Sequence, residues 1–203
     1  LAVLIATDAT DGVDTVTVPS SDTEDLLFGA ATTLEGRDVV STANCEVCHQ
    51  QIMFHGENRA GLDTCLTCHT AGAEDRYSVT DPLTTPGVTI HFPVMLHKIH
   101  NGSNLENPYD INGYGTPYTT HTFNDVVFPR FDGGTTQCEA CHAGSDAWLE
   151  PSGLICTSCH DSQATAAHAA IMTDPVFGES CDVCHGVGAQ FGVEVVHQWG
   201  VGP

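Results

Sequence analysis

Every cysteine in the chain belongs to a motif of one form, C-x-x-C-H. The ten cysteines occur as five pairs, and histidine directly follows each pair. The motifs are CEVCH at 45–49, CLTCH at 65–69, CEACH at 138–142, CTSCH at 156–160 and CDVCH at 181–185. This spacing is the attachment signature of c-type haem. One helical turn brings the two sulfurs to one edge of a porphyrin, where each forms a thioether, and the histidine then ligates the iron.

The sequence therefore predicts five covalently attached haems. The attachment residues are Cys45, Cys48, Cys65, Cys68, Cys138, Cys141, Cys156, Cys159, Cys181 and Cys184. The predicted proximal iron ligands are His49, His69, His142, His160 and His185. Structural zinc also uses paired cysteines, and secreted cysteines often form disulfides. Neither requires histidine after every second cysteine, so five repeats favour haem.

Seven histidines lie outside the motifs, and five irons need five sixth ligands. Methionine is the other common axial ligand, and the chain has Met53, Met95 and Met172. Because histidine is in excess, we expect bis-histidine ligation at all five irons. Such irons have low potentials and no open position for a substrate.

The stretch HFPVMLHKIHNG at 91–102 places two of these histidines on a predicted helix. Pro93 suits its first turn, and Asn101-Gly102 suits its end. His97 and His100 are three residues apart, so they share a side of the helix and can each reach a different iron. Hydrogen-bonded core histidines are the alternative interpretation.

Three more histidines are candidate sixth ligands. His55 follows the first motif in IMFHG, His168 lies in an alanine-rich helix that Asp161 or Ser162 can cap, and His197 ends the apolar stretch FGVEVVH. We assign His91 and His121 to hydrogen bonding or propionate contact, because one precedes the helix and the other lies in a polar loop.

The net charge limits the classes of molecule that the chain can bind. The chain has 26 acidic and 5 basic residues, for a net charge of -21. Nucleic acid and anionic membrane surfaces would repel it. The six apolar residues LAVLIA are too few to span a bilayer, and we expect them not to be a signal peptide, because this stretch has no initiating Met and no basic region. Because haem is attached outside the cytoplasm, we expect an extracellular or outer-surface protein, with a periplasmic location as the alternative.

We expect a multihaem cytochrome c that is mostly irregular, with short helices around the haems and little strand. Residues 1–40 are predicted to form a strand-rich arm without a sheet of its own, which could pair with a neighbouring copy or be loosely packed. Residues 41–203 are predicted to form the pentahaem domain, including a long loop over 101–137. Arg59 and Arg130 are predicted partners of propionates or carboxylates.

Several stretches resemble the outer-surface multihaem cytochromes of the OmcA/MtrC type. They include GRDVVSTANCEVCHQQIMFHGENR, FPVMLHKIHNG, FNDVVFP and VEVVHQ, in the family's order, over about residues 36–198. The resemblance implies one pentahaem module of a decahaem family that passes electrons to extracellular acceptors. It also implies His55, His97, His100, His168 and His197 as the distal ligands.

The leading hypothesis is electron transfer in extracellular respiration, without enzyme activity. Expected partners are other multihaem cytochromes, copies of the chain that polymerise into a filament, and a metal or mineral acceptor. A soluble periplasmic pentahaem shuttle is the first alternative. A multihaem nitrite or hydroxylamine reductase needs a five-coordinate haem, and no motif here departs from C-x-x-C-H. Haem storage or scaffolding has no feature in its favour.

Overall fold

The fold divides into two compact units. This computed structural model describes residues 2–10, 12, 15–27, 29–34, 39–76, 86–113, 118–129 and 134–197. The first unit comprises Leu1–Thr70 and Cys141–Ser145, and the second comprises Ala71–Ala140 and Asp146–Pro203. The predicted division between residues 40 and 41 stays a prediction. No helix in the described ranges is long and apolar enough to cross a membrane.

The first unit begins with a β-hairpin. Strand β1 (Ala2–Thr10) pairs antiparallel with β2 (Thr15–Thr23), from Ala2 opposite Thr23 to Thr10 opposite Thr15. The backbone N–H of Ala60 donates to Ser21 Oγ at 3.0 Å, which fastens the hairpin to the rest of the unit. The prediction that the N-terminal arm lacks a sheet was wrong, because its two strands satisfy each other's backbone groups.

Short elements carry the attachment motifs of the first unit. They are α1 (Thr42–His49), the hairpin β3–β4 (Met53–Phe54 and Arg59–Ala60) and α2 (Leu62–Leu66). Ser41 caps α1 by accepting from the backbone N–H of Asn44. Asn44 Nδ2 in turn donates to the carbonyls of Cys141 and Ala143, at 2.8 and 3.0 Å. The segment 141–145 therefore belongs to this unit through side-chain hydrogen bonds to α1.

The second unit contains most of the helices. Along the chain come α3 (Phe92–Asn101), β5 (Asp110–Asn112), β6 (Thr120–Thr122), α5 (Gly153–Cys159), α6 (Gln163–Ile171), β7 (Thr173–Asp174), β8 (Gly178–Glu179), α7 (Asp182–His185) and α8 (Val193–Val196). Helix α4 (Glu139–His142) lies where the chain passes from one unit to the other. Single 3₁₀ turns occupy Gly102–Asn104, Gly134–Thr136 and Ala147–Leu149.

The two predicted histidine helices are confirmed. Helix α3 has Pro93 in its first turn and Gly102 at its end. Helix α6 is capped by Ser162, whose Oγ accepts from the backbone N–H of Thr165 at 3.1 Å. The prediction of a mostly irregular chain with short helices is confirmed as well.

The predicted loop over 101–137 holds more structure than the sequence indicates. Strands β5 and β6 pair antiparallel, with Ile111 opposite His121. Gly102 abuts the carbonyl of Phe123 so closely that a Cβ there would overlap the oxygen. The buried Asp75 carboxylate also links β5 to the segment before α3, because it accepts from the backbone N–H groups of Val88 and Asn112 at 2.6 and 2.9 Å. Strand pairing and side-chain acceptors thus satisfy backbone groups that the loop would leave unpaired.

Candidate haem-binding sites

All ten cysteines are available for haem attachment. Each cysteine is exposed or half-buried. Burial is the largest cause that raises the pKa of the Cys159 thiol to about 11; Cys138 raises it further, and Lys98 opposes the shift. Cys159 is therefore an uncharged thiol at neutral pH, and a thioether at the same position would carry no charge either.

The first histidine pair lies in the first unit. The rings of His55 and His69 are stacked, with centroids 6.0 Å apart and an interplanar angle of 26°. His55 occupies the turn between β3 and β4 with φ at 55°, a left-handed conformation that is uncommon for a side chain of this size. Asn58 Nδ2 holds that turn by donating to the His55 and Gly56 carbonyls. This strained backbone conformation places the His55 imidazole beside His69, the predicted proximal histidine of the second motif.

The pKa of His55 is lowered. Loss of surrounding water is the largest cause, and the positive charges of His69 and Arg59 add to it. The neutral imidazole, which is the form that ligates iron, is therefore favoured.

Two further pairs lie in the second unit. The ring centroids of His160 and His197 are 6.1 Å apart. Those of His168 and His185 are 6.2 Å apart. Helix α5 leads into His160 and α8 into His197, while α6 carries His168 and α7 ends at His185. Each pair joins one motif histidine to one predicted distal histidine.

The separations fit two imidazoles on opposite sides of one iron. A metal–imidazole nitrogen bond is about 2.0 Å long, and the ring centre lies about 1.1 Å beyond the nitrogen, so two such rings have centres roughly 6.2 Å apart. The observed separations are 6.0, 6.1 and 6.2 Å. The spacing therefore matches room for an iron between the rings.

Backbone carbonyls orient five of the ten predicted ligands. In each, Nδ1 lies within hydrogen-bond distance of a carbonyl oxygen. A carbonyl can only accept, so Nδ1 is the protonated nitrogen, and Nε2 carries a lone pair that is available to a metal. The pairs are His97 with Pro93 at 2.7 Å, His100 with Leu96 at 2.8 Å, His142 with Val39, His185 with Phe191 and His197 with Val193, the last three at 3.0 Å.

The remaining predicted ligands are placed as follows. His97 and His100 lie on α3, which Asn101 fastens to α5 by donating from Nδ2 to the Cys159 carbonyl at 3.2 Å. The His100 ring also contacts Phe128 edge-on, with centroids 5.8 Å apart. His49 is the last residue of α1 and His142 the last of α4. Iron ligation by these histidines, and by the six in the three pairs, stays a prediction.

Exposed apolar side chains cluster beside the motifs, as a bound macrocycle requires. Among the described residues, the buried apolar side chains are Ile52, Leu62, Phe92, Val94 and Tyr109. In contrast, the exposed ones include residues within or beside the motifs and the distal histidines: Val47, Phe54, Leu66, Leu154, Val183, Val187 and Val196. Water contact with so many large apolar groups is unfavourable. The donor set and the apolar surroundings together fit covalently bound haem.

The residues predicted to contact propionates or carboxylates, or to form hydrogen bonds, are placed as follows. His91 precedes α3, where its backbone N–H donates to Thr89 Oγ1 at 3.2 Å, and His121 is an exposed residue of β6. Arg59 Nη1 donates to the carbonyl of Asn58 at 2.9 Å. Arg130 lies outside the described residues. In the part of the chain that the structure describes, no three His, Cys, Asp or Glu side chains form a metal-binding cluster.

Comparison with known proteins decides the family. Residues 37–198 match the model of the family described as outer membrane cytochrome MtrC/MtrF-like, domains II/IV. The chain belongs to this family. The resemblance to OmcA/MtrC-type multihaem cytochromes and the multihaem cytochrome fold are thereby confirmed.

Two relatives of this MtrC/MtrF-like chain are informative. It is 28% identical over 166 residues to the multiheme cytochrome MtrC of Shewanella baltica (strain OS185), which covers 77% of this chain and 19% of that protein. The crystal structure of the outer membrane decaheme cytochrome OmcA superimposes with a TM-score of 0.58 at 25% identity, covering 90% of this chain and 27% of that chain. The chain thus spans less than a third of the length of either relative.

Proposed function

We propose that this chain is an electron-transfer module with five covalently bound, bis-histidine haems and no enzymatic activity. The observation that carries the proposal is the set of three histidine pairs, with ring centroids 6.0, 6.1 and 6.2 Å apart. Each pair provides both axial ligands of one iron. An iron with both positions filled has no place for a substrate to bind.

Four proposed ligands lie outside the three pairs: His49 and His142 as proximal ligands, and His97 and His100 as distal ligands. Support comes from the Nδ1 hydrogen bonds of His97 and His100 to their own helix, which leave Nε2 as the ligating nitrogen in both. The haems supply one-electron chemistry, and the protein sets their orientation and electrostatic environment.

The protein residues contribute position and redox tuning. Carbonyl acceptors at Nδ1 fix the ring orientation and increase the basicity of the ligating nitrogen. The apolar side chains beside the motifs would pack against bound haems and exclude water from them. Bis-histidine ligation and the net charge of -21 both favour the ferric form, so the proposed potentials are low.

The proposed location is the outer cell surface or the extracellular space. Support comes from the family's description as outer membrane cytochromes. Proposed partners are other multihaem cytochromes and a metal or mineral acceptor, and the acidic surface favours cationic ones. A soluble periplasmic shuttle remains the alternative location and role.

Assembly of copies into a filament is a second proposal. The hairpin β1–β2 is a two-stranded sheet within the described residues, and β2 is fastened to β4, so the nine-residue strand β1 has an outer edge that a second chain could extend. Electron microscopy of native material, with a haem stain on the gel, tests this proposal. Haem-stained filaments would support it, and a monodisperse monomer at high concentration would contradict it.

A reductive titration tests the proposed function. We expect each chain to take up five electrons reversibly and to bind no carbon monoxide, because no iron has an open position. We also expect nitrite and hydroxylamine to leave the reduced spectrum unchanged. Turnover of either compound, or carbon monoxide binding to the native protein, would contradict the proposal and favour a reductase.

A further inference from the structure

The chain contains a single lysine, and it lies between two predicted iron ligands. Only five residues are basic against 26 acidic, and Lys98 is the one lysine among the five. It is a half-buried residue of α3, one position after His97 and two before His100. A positive charge is therefore held inside a region where haems are proposed to bind.

The Lys98 ammonium has a defined position. Its Nζ lies 5.7 Å from the centroid of the Tyr109 ring, a cation–π geometry. Tyr109 is only 3% exposed, and its hydroxyl donates to the Thr89 carbonyl at 2.7 Å. A ring fixed by burial and a hydrogen bond gives the ammonium a fixed partner. The charge is therefore less screened than that of a mobile surface lysine.

Hydrogen bonds join the surroundings of Lys98 to the attachment motif of α5. Asn101 joins α3 to α5 through its hydrogen bond to the Cys159 carbonyl. Asp161, the residue after His160, accepts from the backbone N–H groups of Glu106 and Asn107, both at 2.9 Å. Asn107 lies two residues before Tyr109, the ring that holds the Lys98 ammonium. Cys159 and Asp161 both adjoin His160, the motif histidine paired with His197.

We propose that Lys98 raises the reduction potential of the haem attached at Cys156 and Cys159 and ligated by His160. The inference rests on the proposed function. Uptake of one electron converts the ferric iron to ferrous without making or breaking a bond, and it lowers the local charge by one. A nearby cation stabilises the more negative state, whereas the many carboxylates favour the ferric state. Lys98 thus sets this haem apart within an acidic chain.

The expected effect is measurable. A unit charge within about 10 Å of a partly buried group changes an equilibrium constant on the order of tenfold at the effective dielectric constant of protein interiors. For a one-electron couple, a tenfold change corresponds to about 59 mV. Loss of the ammonium should therefore shift one reduction step negative by roughly this amount.

The test compares neutral and charge-conserving variants of the holoprotein in a potentiometric titration followed by electron paramagnetic resonance. K98M keeps the apolar stem over Tyr109, K98Q is a second neutral variant, and K98R keeps the charge. R76Q is the matched control, because it removes one positive charge from an exposed ion pair with Glu74 at 2.7 Å in the same unit. Haem content is measured for every variant.

We expect K98M and K98Q to lower one reduction potential by an amount that corresponds to about a tenfold change in the equilibrium constant of that reduction. K98R should change this potential little. R76Q should change every potential only slightly. Equal shifts in K98M and R76Q would overturn the proposal, because Lys98 would then act only through net charge. Unchanged potentials in K98M, or loss of haem from both neutral variants, would also overturn it. The wild-type titration separates the two inferences: absence of low-spin haem there would refute the proposed function itself.

Discussion

Replacement of His168 by alanine gives a sharp test of ligand pairing. His168 lies in α6, an alanine-rich helix that is capped by Ser162. Alanine has the highest helix propensity, so H168A should stabilise the isolated helix by about 0.5 kcal/mol. The helix should therefore persist while one iron loses its sixth ligand.

The size of the expected change follows from the pairing. The His168 ring is paired with that of His185, at a centroid separation of 6.2 Å, and the other two pairs share no residue with it. We expect one iron of the proposed five to become high-spin, about one-fifth of the total iron. The same iron should then bind carbon monoxide when reduced.

Electron paramagnetic resonance of the ferric protein measures the high-spin fraction, and carbon monoxide titration of the reduced protein measures the open positions. H121A is the matched control, because His121 is also an exposed histidine but lies in β6, outside the three pairs. We expect H121A to retain only low-spin haem. Full low-spin character in H168A, or high-spin character at several irons, would refute the pairing.

Three further predictions concern the supporting structure. G102A should prevent stable folding, because the added methyl overlaps the Phe123 carbonyl, and thermal denaturation followed by circular dichroism would show it; a native-like melting curve would contradict the contact. N44A removes two hydrogen bonds to segment 141–145 and should lower the free energy of unfolding by about 1–3 kcal/mol in a denaturant titration, whereas an unchanged midpoint would mean that the segment is held otherwise. The backbone N–H groups of Phe177 and Val176 donate to the Asp174 carboxylate and lower its pKa. The amides of hairpin β7–β8 should therefore be protected from hydrogen exchange above the ordinary pKa of aspartate, and they should lose this protection as the pH falls through the lowered pKa. Hydrogen exchange should show the loss in the native protein but not in D174N.

The sequence alone predicts the attachment chemistry and the helices with strong local signals. Five C-x-x-C-H motifs define the cysteines and proximal histidines without reference to tertiary structure. Helix α3 follows from Pro93 and the Asn101-Gly102 ending, and α6 follows from its cap and its alanines. These features depend on neighbouring residues, so local rules suffice.

The pairing of histidines could not be read from the sequence. His55 follows the first motif closely, yet its ring lies against His69 of the second. His168 follows the fourth motif, yet its ring lies against His185 of the fifth, and His197, after the fifth motif, lies against His160 of the fourth. Proximity along the chain would give the wrong partner in all three pairs, because partners are set by how the helices fold back.

The short hairpins could not be predicted from sequence patterns either. The strands of β3–β4 and β7–β8 have two residues each, and those of β5–β6 have three, too few to show alternation. The carbonyls that orient the imidazoles leave no sequence signal, since every residue has a carbonyl. Their identity depends on backbone geometry alone.

The most direct test of five bis-histidine haems is the intact mass of the purified native protein together with its ferric electron paramagnetic resonance spectrum. The account predicts a polypeptide mass increased by five haems and a spectrum in which every iron is low-spin. Fewer haems, bound zinc, or a high-spin iron in the native protein would contradict it.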